Sequence, residues 1–195
     1  MKLHYKGKFD GNYDLLPTGE LEKHKNAVKF KEFDDMNKFM IIMNIVSGLV
    51  MVLLGVIFVL RVGGIGKINF LESCIGMLLA CVSIYPHELL HAICFKGDVN
   101  MYLTLGGAFV CGTENMSKSH FIFLCMLPNI VFGFIPFTIF LFFPQLNILG
   151  VLGLTAIAMG VGDYYNVFNA LTQMPKGARC FMEKQNSYWY MPDED

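Results

Sequence analysis

Polar and apolar positions are sharply segregated along the chain. Residues 1–38 are hydrophilic and hold eight lysines. Residues 39–60 then form 22 consecutive positions without a charge. At 1.5 Å per residue they make a helix of about 33 Å, enough for a bilayer core. Further apolar stretches run over 70–95, 120–143 and 146–171. Arg61 and Lys67 bracket the glycine-rich turn Gly63-Gly64-Ile65-Gly66, and Pro144-Gln145 alone separates the third stretch from the fourth. So short a link predicts a tight antiparallel pair. Each stretch is too long for an ordinary core helix, and four of them leave no soluble core to bury them.

The pattern therefore predicts an all-α integral membrane protein. Its parts are a cytosolic segment 1–38, a four-helix membrane domain 39–171 and a cytosolic tail 172–195. The N-terminal segment reads as poorly packed, with turns at Gly11-Asn12 and Pro17-Thr18-Gly19 and a short strand over 27–30. Between helices 2 and 3, residues 101–111 place Gly106-Gly107 between two short β-prone runs, which reads as a hairpin.

Charge fixes an expected orientation. Four spans put both termini on one side, and the termini with the 2–3 loop hold thirteen Lys and Arg against two, Arg61 and Lys67, on the other. The positive-inside bias puts both termini in the cytoplasm of a cell-membrane protein. Composition agrees with membrane residence: 54% of residues are hydrophobic and 16% charged, against about 25% charged in soluble domains. No basic patch is interleaved with aromatics on a soluble face, so nucleic acid is not an expected partner. The six cysteines form no CxxC pair and read as buried free thiols. No cleavable signal peptide is visible.

Chemistry enters in the second stretch, at His87-Glu88-Leu89-Leu90-His91. In a helix the two histidines share one face, one turn apart, and can grip one zinc ion. Glu88, rotated by about 100°, reaches a water activated by the metal without itself being a ligand, and is the candidate catalytic base. Chance gives this pattern in roughly one such chain in 200, so its context matters. Three ionisable groups in an apolar helix cost a few kcal/mol each, and a bound metal offsets that directly.

A catalytic zinc needs a third protein ligand and an open position. Asp163 is the best candidate, the one acid in the fourth stretch. His87 lies eight residues before the end of its stretch and Asp163 eight before the end of its own, which puts both about 12 Å from the same side. Glu114, Asp98 and His120 are rivals from the loop. Asn129 falls near the same depth and could contact a substrate carbonyl or an oxyanion, or bond a neighbouring helix. Pro86 can free backbone carbonyls beside the site. Tyr85, Tyr164, Tyr165, Asn166 and Asn169 are candidates for outer support or for packing.

These features resemble the bacterial zincin peptidases, a membrane family once described only as a domain of unknown function and distantly similar to the site-2 proteases. The resemblance rests on the His-Glu-Leu-Leu-His in an apolar helix, the hairpin-like loop after it, the proline of the third helix, Gly162-Asp163 and Met174-Pro175-Lys176-Gly177-Ala178. It implies zinc on His87, His91 and Asp163, with Glu88 as base. Gly162-Asp163-Tyr164 and Pro128-Asn129 differ in order from the corresponding site-2 protease pairs.

Two function classes follow. The first is a zinc-dependent endopeptidase acting on a membrane or membrane-adjacent protein at the cytoplasmic side of the bilayer. The second is a non-enzymatic protease-like scaffold or metal-binding membrane protein. The outer halves of helices 2 and 4 are almost wholly apolar, which argues against a transport path. The sequence sets no oligomeric state.

Overall fold

The computed structural model describes residues 1–104 and 107–192. By its internal contacts the chain divides into two compact units. One comprises Asp35–His87 and Met126–Tyr164; the other comprises Met1–Asp34, Glu88–Cys125 and Tyr165–Asp195.

The first unit is helical. Helix α1 (Met36–Val62) starts where Asp35 caps the amides of Asn37 and Lys38 and stops at Gly63, whose φ of 89° only glycine adopts without strain. Half of its apolar side chains are exposed and Phe58 alone among them is buried, as suits a helix facing lipid. The second apolar stretch is two helices, α2 (Phe70–Val82) and α3 (Ile84–Ile93), interrupted at Ser83. The third begins as α4 (Lys118–Asn129), passes through a π-helical segment, Ile130–Phe134, and ends as α5 (Ile135–Phe142). The fourth is α6 (Asn147–Met159) and α7 (Val161–Gln173), bent by 51° at Gly160. Among the described residues three helical runs are long and apolar enough to cross a membrane, or four if the bent pair is one span. The boundary between the units falls inside α3, α4 and α7.

Phe58, Phe137, Phe140, Val151, Leu154 and Ile157 form the core of this unit. The rings of Phe58 and Phe140 stack with centroids 4.8 Å apart. In lipid the hydrophobic effect does little to draw helices together, so close backbone approach at small residues takes its place. A Cβ on Gly153 would stand 2.5 Å from the Phe137 amide nitrogen, and one on Gly76 2.7 Å from the Ile148 carbonyl oxygen. Arg61 reaches across to donate to the Leu141 carbonyl at 2.6 Å.

The second unit corrects the all-α expectation, because it carries two sheets. Strands β1 (Lys2–Lys8), β3 (Asp98–Thr104) and β4 (Gly107–Cys111) form one in the order β1-β3-β4, with β1 parallel and β4 antiparallel to β3. Strands β2 (Val28–Lys29), β5 (Met116–Ser117), β6 (Arg179–Glu183) and β7 (Asn186–Tyr190) form the other, in the order β2-β7-β6-β5. Strands β3 and β4 are the pair expected over 101–111. Of the glycines assigned to their turn, Gly107 opens β4 and Gly106 lies outside the described residues. The short strand expected over 27–30 is β2. The remainder of the N-terminal segment is better packed than its polarity implies. Leu16 and Phe30 are buried, and the Gly19 amide donates to Glu183. All six cysteines are free thiols; four are buried as expected, but Cys74 and Cys81 on α2 are exposed.

Two outcomes test this packing. Gly153→Ala drives a methyl into the backbone of α5 and should destabilise the detergent-solubilised protein by about 1–3 kcal/mol, seen as a lower melting temperature. In the sheet unit, burial holds the Glu32 carboxyl above the ordinary glutamate value of 4.5, against the opposing bond from the Ser187 amide at 3.0 Å. The folded state therefore binds a proton that the unfolded chain has already lost, and stability should fall as pH rises from 4.5 through the raised value. Glu32→Gln should flatten that slope in pH-dependent melts.

Candidate metal centre

Each candidate side chain sits at or near a break in regular helix. Helix α3 resumes after Ser83, and the His87 amide bonds the Ser83 carbonyl at 2.8 Å, so His87 rides the first full turn. Glycine at 160 interrupts the last apolar stretch, and Asp163 lies in the first turn of α7. In the helical unit His87 Nε2 is 3.2 Å from Asp163 Oδ2, with both side chains largely shielded. The two are 76 residues apart in sequence. His91 follows His87 by one turn of α3, and the ligand atoms of His87, His91 and Asp163 all lie within 4.8 Å of one another. Among the described residues this is the group that could hold a metal ion.

Asn129, 1% exposed, donates from Nδ2 to Asp163 Oδ2 at 2.7 Å and accepts on Oδ1 from the Tyr164 hydroxyl at 3.3 Å. Room for it comes from Gly160: a Cβ there would lie 1.7 Å from Asn129 Oδ1.

In the sheet unit His91 is 7% exposed, and its Nδ1 is 3.0 Å from the Leu124 carbonyl oxygen. A carbonyl only accepts, so the proton sits on Nδ1 and Nε2 is left as the basic nitrogen. Glu88 accepts the Val110 amide at 3.0 Å. Strand β4 is an edge of its sheet, so this amide points outward from it.

The loop residues considered as ligands are engaged elsewhere. Glu114 accepts the amides of Lys96 and Gly97, His120 Nε2 lies 2.7 Å from the Cys94 carbonyl oxygen, and Asp98 lies 3.5 Å from His4. Burial pushes the Cys111 thiol up to about 11 and the Cys180 thiol up to about 12, so neither supplies a thiolate at neutral pH. The Leu124 carbonyl and the Val110 amide are backbone groups that carry no residue signature. The proline four residues after Leu124 is the one sequence sign that its carbonyl is free.

Two imidazoles on one helical turn, with a carboxylate from a distant segment, are the donor set of a zincin-type metal site. Among the described residues, three or four helices are also long and apolar enough to cross a membrane. Residues 80–179, just over half of the chain, match the family model described as "Putative zincin peptidase", and the chain belongs to that family. No curated protein and no solved structure matches the chain.

The close fit at Gly160 gives a direct test. Gly160→Ala would displace Asn129 from Asp163, while Gly162→Ala meets nothing within 4 Å. The first should lower the melting temperature by several degrees and the second should leave it nearly unchanged. Equal melting of the two variants would contradict the packing described.

Proposed function

We propose that the chain is a zinc-dependent endopeptidase that hydrolyses peptide bonds of membrane or membrane-adjacent proteins. The observation that carries this reading is the meeting of Asp163 with both histidines, because pairing the carboxylate alone would need one of them, whereas three ligand atoms within 4.8 Å of one another suit an ion. The donors suit zinc: two neutral imidazoles and one carboxylate leave a coordination position open. The Nδ1–H of His91 is already committed to a carbonyl, which would leave Nε2 to hold the ion. His87, His91 and Asp163 would hold the metal. When bound, zinc acidifies a water and polarises the scissile carbonyl.

The chain's own groups then have separate tasks. Glu88 accepts the proton of the attacking water and returns it to the leaving amine. The Val110 amide holds the Glu88 carboxylate in place beforehand. The edge of β4 would take an extended substrate segment as an added strand, a pairing that exposes the scissile carbonyl. The bias of Lys and Arg supports work at the cytoplasmic side with both termini cytoplasmic.

Glu88→Gln tests the reading against a metal-binding scaffold. The amide keeps the shape and the bond from Val110 but cannot take a proton. Cleavage of co-expressed membrane proteins should fall by about 10²-fold or more, with zinc content unchanged. Full function in this variant would favour the scaffold.

A further inference from the structure

The dipeptide Pro128-Asn129 stands in the middle of an apolar helix, where each residue carries a penalty. Proline brings no amide hydrogen and its ring crowds the carbonyl four residues earlier. That carbonyl belongs to Leu124, the oxygen that lies 3.0 Å from His91 Nδ1. The helical bond that Pro128 cannot make is replaced by a bond from a candidate ligand. Asn129 is almost fully buried, and both ends of its amide are spoken for, by Asp163 and by Tyr164. A π-helical segment, Ile130–Phe134, begins at the next residue. Such segments are rare inside α-helices and gather at functional sites.

We infer that Pro128 and Asn129 are positioning residues for the metal centre. Pro128 releases the Leu124 carbonyl to orient the His91 ring, and Asn129 fixes one oxygen of the Asp163 carboxylate. Tyr164 in turn fixes the Asn129 amide, with its oxygen toward the hydroxyl and its nitrogen toward the carboxylate. Carboxylate oxygens only accept, so this amide orientation is the one the two partners jointly require. The inference rests on the proposed zinc site and assigns the support of two of its three ligands to one turn of α4.

The role differs from a contact between Asn129 and a substrate carbonyl, and zinc affinity separates the two. Full-length protein in detergent is titrated with zinc against a chelator of known affinity, for wild type, Asn129→Ala, Pro128→Ala and Tyr164→Phe. Loss of an outer-shell partner weakens metal binding by about 10–100-fold, which is the result expected for Asn129→Ala. Tyr164→Phe removes one hydroxyl from a folded protein and should weaken zinc by roughly 3-fold or more in the same direction, which keeps the test open if Asn129→Ala does not fold. Adding Tyr164→Phe to Asn129→Ala should cost nothing further, because the two act through one bond. Pro128→Ala returns a helical donor to Leu124 and should also weaken zinc. Wild-type affinity in all three single variants, or a raised KM with unchanged affinity, would overturn the inference. A wild-type protein that takes up no zinc would instead remove the metal centre itself.

Discussion

A carboxylate enclosed by apolar helices has to be met by positive charge or by hydrogen-bond donors, since an unpaired buried charge costs several kcal/mol. Asp163 is met on one oxygen by His87 at 3.2 Å and by Asn129 at 2.7 Å. Much of the helical unit can be derived from that need. Asn129 must be polar although it is almost fully buried, and Gly160 must lack a side chain to admit it. Tyr164 must present a hydroxyl so that the other end of the amide is not left bare.

The helix breaks follow the same constraint. A straight α-helix satisfies its own backbone and offers apolar surroundings nothing but side chains. Non-helical backbone at membrane depth is tolerated where protein covers it or where it lines a cavity. Three breaks lie next to residues of the candidate site. Ser83 precedes His87, the π-helical segment follows Asn129, and Gly160 precedes Asp163. Each frees or redirects backbone that the apolar stretch alone would have kept straight. The bend of 51° at Gly160 also turns Asp163 out of line with α6.

This explains what could be read from the amino acids and what could not. An apolar background makes each ionisable residue conspicuous, so His87, Glu88, His91 and Asp163 stand out, and counting residues from the helix ends brought Asp163 level with His87. Hydropathy does not register a break, so four continuous helices were expected where α2 and α3, and α6 and α7, are separate. The sheets were harder still. Strand β1 pairs in parallel with β3, and β2 pairs antiparallel with β7, over sequence separations that no local pattern encodes. Lys2–Lys8 falls in the segment read as poorly packed because its pairing partner, β3, lies far along the chain. Asn129 was legible as a polar residue at the right depth. Its partners depend on a side-chain rotation and on the hole left by Gly160, which the sequence lists as one more small residue.

Within α3 adjacent residues serve different neighbours. One step along a helix turns a side chain by about 100°, so His87 faces Asp163 while Glu88 bonds the edge of β4. A base that shared the ligands' face would compete with them for the ion, and its carboxylate would be drawn into coordination. The bond from Val110 comes from a neutral donor, so it orients the Glu88 carboxylate without placing a positive charge beside it. Under the proposed function the motif needs the strand as much as the helix: the histidines, one turn apart, would hold the ion, and the amide of Val110 in β4 would keep the glutamate between them available as a base.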